Sequence, residues 1–183
     1  METLAYINFS KNQLDDGSFD NQVVTESKEH VKKQGSAPDL DVCFMIDVTG
    51  SMQEHIDKAK NKMKDIIKEV NEAYPDSTIR LGIVGYRDIK DAKRFEILPF
   101  TTDGEEARDF LDKVKADGGD DFPEDVNGGF RKTLYELVWE EAAAKMIIHI
   151  ADAPCHGNDF HTNRYDDYPT GHAEDKPYDE MFG

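Results

Sequence analysis

From Leu40 onward the chain alternates short apolar runs with amphipathic stretches. Leu40-Asp41-Val42-Cys43-Phe44-Met45-Ile46 is too continuously apolar for a half-exposed strand and too short for a buried helix, so it predicts a central strand covered on both faces. Met52 to Ala73 places Ile56, Ala59, Met63, Ile66, Ile67 and Val70 at three- and four-residue steps among charges, the stripe of a surface helix. Thr78 to Tyr86 and Arg94 to Phe100 read as strands; the turn at 87–91 is too short for a parallel crossover, which predicts an antiparallel edge pair. Thr101-Thr102-Asp103-Gly104 opens a helix burying Ala107, Phe110, Leu111 and Val114, and a further helix carries Val126, Phe130, Leu134, Leu137 and Val138. Lys145 to Ala151 is another buried strand, with His149 a satisfied core histidine. The sum is an α/β fold: a doubly wound, mostly parallel sheet with an antiparallel edge strand.

The flanks are different in kind. Residues 1–37 are polar, with only Leu4, Ile7 and Phe9 able to pack and Val23-Val24 as a short strand, and they read as a partly ordered N-terminal extension. Gly35-Ser36-Ala37-Pro38 marks the boundary of a domain spanning 38–157. Residues 158–183 form an acidic, loop-rich C-terminal segment without an apolar strand.

Length and charge narrow the function. The 183 residues suit one globular domain with a tail or two, and a formal charge of −17 leaves no basic face for phosphates, which excludes nucleic acid and anionic membrane as natural partners. Cations or basic proteins fit better. The first thirty residues hold no apolar core like that of a signal peptide, and no run approaches membrane-spanning length. The expectation is a cytoplasmic protein with no membrane insertion, whose Cys43 and Cys155 remain unpaired.

The candidate chemistry sits in three polar loops. Asp47-Val48-Thr49-Gly50-Ser51 follows the first strand, and its alternating Asp47, Thr49 and Ser51 let one bent loop turn three oxygens inward. Taken alone, the same residues also suit an ordinary helix start, with Ser51 as the cap. Gly118-Gly119-Asp120-Asp121-Phe122-Pro123-Glu124-Asp125 precedes a helix, and Asp152 ends the last clear strand. In a parallel sheet all three loops crowd onto one rim, where carboxylates repel unless neutralised. Oxygen donors without clustered thiols or imidazoles suit a hard divalent cation, Mg2+ first and Mn2+ or Ca2+ next.

These loops carry a family resemblance. The chain from about Leu40 to Gly157 resembles a von Willebrand factor A domain, whose metal-ion-dependent adhesion site uses D-x-S-x-S, then a hydroxyl or carboxylate, then an Asp. Asp47, Thr49 and Ser51 match the first loop with Thr in place of the first Ser. The wording at 118–124 and Ala-Asp-Ala-Pro-Cys-His-Gly at 151–157 is similar to the subgroup found next to alpha-type protein kinase domains. The resemblance implies a non-enzymatic interaction domain and a metal set of Asp47, Thr49, Ser51, Asp121 and Asp152. It implies a partner rim of Gly50, Met52, Asp120 and His156, with Asp120 in reserve for Asp121. A protein partner would donate a carboxylate to the metal, and the domain would be a regulatory or targeting module of a kinase-type protein. A carboxylate in place of the family's threonine implies constant metal occupancy. The family usually continues through another strand and helix, so the domain reads as incomplete at its C-terminus. No Gly-rich nucleotide loop or kinase catalytic set is present. Two rivals remain open: Asp-Val-Thr-Gly-Ser also resembles the loop of haloacid-dehalogenase-like phosphotransferases, with Asp47 as nucleophile, and Cys155, His156, His161 and His172 are a loose zinc set.

Overall fold

The computed structural model describes residues 4–9, 39–162 and 165–182. Its strands are β1 (Leu4–Phe9), β2 (Leu40–Asp47), β3 (Ile79–Tyr86), β4 (Phe95–Thr101) and β5 (Ala144–Ile150). Its helices are α1 (Gln53–Ala73), α2 (Gly104–Lys113), α3 (Val126–Tyr135) and α4 (Tyr178–Phe182). The strands form one sheet in the order β1-β5-β2-β3-β4. Every neighbouring pair is parallel except β3 and β4, whose short connection forces them antiparallel.

β2 is central, and its alternation decides the layers. Val42, Phe44 and Ile46 face Ile56, Ala59 and Met63 of α1 and Leu111 of α2. Cys43 and Met45 point to the opposite side, against Val84, Tyr86 and Phe130 of α3. Both sheet faces are therefore covered, and each large side chain fully buried there contributes roughly 1.5–3 kcal/mol. Asp41 is tolerated within this apolar strand because Arg80 grips both its oxygens, at 2.7 and 2.6 Å, and the Glu140 N–H donates to it as well. His149 is 5% exposed and shares a 2.8 Å hydrogen bond with the Tyr86 hydroxyl; burial pushes its pKa down to about 4.

The structure departs from the sequence reading at three places. β1, from the presumed extension, lies parallel beside β5 with Leu4 opposite Lys145 and Phe9 opposite Ile150, so it occupies the sheet edge. α3 ends at Tyr135: Leu137 still reaches the core, but Val138 is 81% exposed, because the Trp139 indole donates to the Thr133 carbonyl and closes the chain after the helix. The loop-rich segment contributes α4 and packs on the domain, with Asn127 exchanging hydrogen bonds with the Lys176 backbone and Glu174 accepting from Arg94 and Arg131. The Val23-Val24 strand and the Val70 side chain lie outside the described residues. No helix of the described residues is long and apolar enough to cross a membrane.

Candidate metal centre

The carboxyl ends of β2, β3 and β5 meet at one rim because the three strands run parallel side by side. Asp47, the last residue of β2, turns the chain into its loop: its Oδ1 accepts from the Thr49 N–H at 2.9 Å and the Thr49 hydroxyl at 2.7 Å. A helical turn at Gly50–Met52 then leads into α1.

The second loop is fastened to the first by backbone hydrogen bonds, Asp117 N–H to the Val48 carbonyl and Gly50 N–H to the Gly118 carbonyl, each 3.1 Å. Arg87, 5% exposed, steadies it by donating to the Lys115 and Asp117 carbonyls while pairing with Glu96. Glycine is required at Gly119: its φ is +84°, and a Cβ there would lie 2.7 Å from Glu124 Oε1 and 3.1 Å from Thr49 Cβ. The third loop joins through Glu124 N–H donating to the Pro154 carbonyl at 2.9 Å and the Ser51 hydroxyl donating to Asp152 Oδ1 at 3.2 Å.

Asp47, Thr49, Ser51 and Asp152 are thus gathered on the rim, Asp47 and Thr49 buried beneath and Ser51 and Asp152 open to solvent. Glu124, which the sequence reading passed over, faces this group: Thr49 lies beside it, and its Oε2 and Asp47 Oδ2 are both buried without a hydrogen-bond partner. Burial, followed by the charges of Asp47, Asp88 and Asp91, pushes Glu124 up to about 9. Burial also raises Asp47 to about 6, against the hydrogen bonds from Thr49.

The other expected residues fall elsewhere. Asp121 sits with Asp88 and His156, and ligand atoms of these three lie within 4.8 Å of one another, a set that could coordinate a metal ion. Among the described residues, Asp47, Asp121 and Asp152 do not close into such a group. Met52, expected on the partner rim, is fully buried in the core under α1, because the helical turn rotates it inward. His156, expected there too, is 2% exposed: its Nε2 meets Asp88 Oδ1 at 2.7 Å and its Nδ1 meets Asp166 Oδ1 at 2.8 Å. Burial alone would lower its pKa, but the two carboxylates outweigh this and raise it to about 9, so His156 is an imidazolium at neutral pH. Gly50 and Asp120 are exposed.

The donor set fits a hard cation. Among the described residues, two hydroxyls and the carboxylates of Asp47, Glu124 and Asp152 line this rim without closing into a group of the same tightness, and Asp47 Oδ2 and Glu124 Oε2 are buried and unpaired, an arrangement that costs several kcal/mol per ion unless a positive charge is supplied. The zinc set does not assemble: Cys155 is a buried thiol that accepts from the Tyr178 hydroxyl, and burial pushes its pKa up to about 11. Asp47 as a phosphorylated nucleophile fits poorly, since the residue has no exposed surface.

Comparisons with known proteins identify the fold and its family. The sequence profile of the von Willebrand factor A domain matches residues 41–162. Alpha-protein kinase vwkA of Dictyostelium discoideum is 32% identical over 143 residues, covering 78% of this chain and 23% of that protein. The chain therefore spans about a quarter of the length of the curated relative it matches. Crystal structures of the pilus adhesin SpaC from Lactobacillus rhamnosus GG share the fold, the open conformation with a TM-score of 0.53 at 16% identity and a second form with 0.51 at 14%. Each alignment covers 79% of this chain, and 20% and 21% of the adhesin respectively.

Proposed function

The chain belongs to the von Willebrand factor A domain family, and from that premise we propose that it is a Mg2+-dependent protein-interaction module whose ion sits on Asp47, Thr49, Ser51 and Asp152. The domain is a binding module without catalytic machinery, and no kinase set stands in this chain. Glu124 joins the ion's surroundings, a role that Asp121 had in the sequence reading. The observation that carries the proposal is the Ser51 hydroxyl donating to Asp152 on the same rim that holds two buried, unpartnered carboxylate oxygens, Asp47 Oδ2 and Glu124 Oε2.

A bound cation would supply an electrophilic point for an incoming carboxylate. The chain's own residues do the rest. Thr49 orients Asp47 through two hydrogen bonds, so one carboxylate oxygen is committed to the loop and the other is left for the ion. Ser51 and Asp152 mark the open side, where a Glu or Asp of a protein partner would arrive, with exposed Gly50 and Asp120 on the rim. Several acidic neighbours weaken the ion's pull on one more carboxylate, so specificity must draw on the surrounding surface as well. The kinship with an alpha-protein kinase supports a regulatory or targeting role beside a kinase. The free thiols of Cys43 and Cys155 suit a reducing, cytoplasmic setting.

The test is calorimetric titration of Mg2+ and Mn2+ into metal-stripped protein, beside Asp47→Ala and Asp152→Ala. Both variants are expected to bind at least tenfold more weakly; unchanged binding in both would remove the site.

A further inference from the structure

Large apolar side chains left in solvent are unevenly placed on this domain. Seven are exposed among the described residues, and four of them gather in two places: Phe122 in the second loop, and Phe160, Tyr165 and Phe182 in the acidic C-terminal segment. Scattered singly, such residues carry no message, whereas a contiguous group rimmed by polar residues marks a contact surface. These rings form a chain of contacts. Phe122 meets His161 edge-on with 6.4 Å between ring centroids, Phe160 meets Tyr178 at 5.4 Å, and Tyr178 stacks on Phe182 at 6.3 Å.

The two phenylalanines of this group, 49% and 51% exposed, are held outward by the backbone around them. Phe122 stands between Asp121, whose Oδ2 accepts from the Asp167 N–H at 2.6 Å, and Glu124, whose N–H donates to the Pro154 carbonyl at 2.9 Å. Phe160 closes a turn by donating its N–H to the Gly157 carbonyl at 3.0 Å, and the Asn158 N–H ties that turn to the Pro169 carbonyl at 2.9 Å. Gly157 makes the turn possible: its φ is +111°, and a Cβ there would press to 3.3 Å from the Phe160 ring. Rings fixed in this way lose little freedom when a partner covers them.

The charges around the rings determine what fits. Asp120, Asp152, Asp159 and Asp167 are exposed on the same loops, and residues 151–182 carry eight acidic residues against two basic ones. Lys90 and Lys176 are already paired, with Asp167 and Glu180. An aromatic face in such a field favours a cation over a neutral apolar group, and a guanidinium suits it best, because it stacks on a ring while facing carboxylates.

We infer that the partner is an arginine-rich segment bearing a single carboxylate, docked across Phe122 and Phe160. This rests on the ion proposed above: the carboxylate meets the ion on the Asp152 side, and the arginines beside it lie on the two rings among Asp120 and Asp159. The flanking arginines also offset the repulsion that the acidic rim exerts on the incoming carboxylate.

Fluorescence anisotropy with three short labelled peptides tests this, on the full chain at about 0.15 M salt, where exposed charges more than about 8 Å apart are screened. The first peptide carries one Glu among Arg and Gly, the second has Gln for that Glu, and the third has Ser for each Arg. With saturating Mg2+ the chain should bind the first about tenfold more tightly than either of the others. Phe122→Ser combined with Phe160→Ser, shown to be folded by circular dichroism, should weaken the first about tenfold. Val138→Ser should change nothing, since that side chain, 81% exposed, lies at the other end of the sheet, where its carbonyl accepts from Arg80. Equal affinity for the first and third peptides, unchanged binding in the phenylalanine variant, or an equal loss in Val138→Ser overturns this surface. Binding that needs the two rings but is indifferent to EDTA and to Gln for Glu overturns the carboxylate bridge and leaves the basic segment on its face. No binding of any peptide overturns the surface, while the Mg2+ titration described above decides the ion by itself.

Discussion

Asp47→Asn separates the metal's contribution from that of the fold. The substitution keeps Oδ1, which can still accept from the Thr49 N–H and hydroxyl, and it removes the charge on the buried, unpartnered oxygen. Burial first, with the charge of Asp152 adding to it, raises the Asp47 carboxyl from 3.8 to about 6. That difference corresponds to about 3 kcal/mol between ionised and protonated forms. The folded pKa lies above the unfolded one, so this stabilisation is complete below 3.8 and is lost as pH rises through 6. At pH 8 without metal, the ionised residue is a burden of that size. The new amide N–H2 costs about 1–3 kcal/mol if it finds no acceptor, so the net gain is about 1 kcal/mol, or roughly 2–4 °C in Tm. With Mg2+ at a hundred times its Kd the unmutated protein gains about 2.7 kcal/mol and the variant gains nothing. The order of stability therefore reverses: the variant melts higher in EDTA and lower in Mg2+. Thermal melts of both proteins in both buffers provide the check. A variant destabilised equally in EDTA and Mg2+, or one whose Mg2+-dependent rise matches the unmutated protein, refutes the reasoning.

Other expectations follow from single groups. His149 stays neutral in the fold to about pH 4 while the unfolded chain protonates near 6.5, so its contribution is intact above 6.5 and about 3 kcal/mol is lost as pH falls toward 4; an NMR titration showing this ring protonating near 6.5 would contradict it. Gly119→Ala forces a Cβ into the left-handed region and against Glu124 and Thr49, and should cost about 2 kcal/mol in urea unfolding together with weaker Mg2+ binding. Asp166→Ala leaves the His156 imidazolium with one carboxylate and removes the acceptor of the Gly157 and Tyr168 N–H groups; a loss of about 3 kcal/mol and faster amide exchange over 165–182 are expected, and unchanged exchange there would show that the tail is held by other contacts.

The framework was legible because its signals were local. An unbroken apolar run such as Val42 to Ile46 can only be a strand covered on both sides, and the short link between Tyr86 and Phe95 can only reverse direction. The acidic loops were legible as loops for the same reason, since parallel strands deliver their carboxyl ends to one rim. What escaped was which carboxylate points where. Glu124 is one residue past Pro123 and bridges to Cys155 in the third loop, close enough to Asp47 for the two charges to interact, while Asp121 groups with Asp88 and His156. No periodicity encodes that choice. Asp88 could have been suspected, because it follows β3 as Asp47 ends β2, but it stood in what read as a plain turn. The role of the tail was the least visible: Asp166 and Asp167 act from a segment without hydrophobic rhythm, through contacts set only by the folded chain.

The central claim is that one divalent cation lies between Asp47, Ser51 and Asp152 at the carboxyl end of the sheet. The most direct test is an anomalous difference map from crystals of the full chain grown with Mn2+. The account expects a peak about 2.2 Å from oxygens of this group, in contact with the Ser51 hydroxyl and open to solvent on the Asp152 side. Saturating Mn2+ with no peak there, or density confined to the neighbourhood of Asp88 and Asp121, would contradict it.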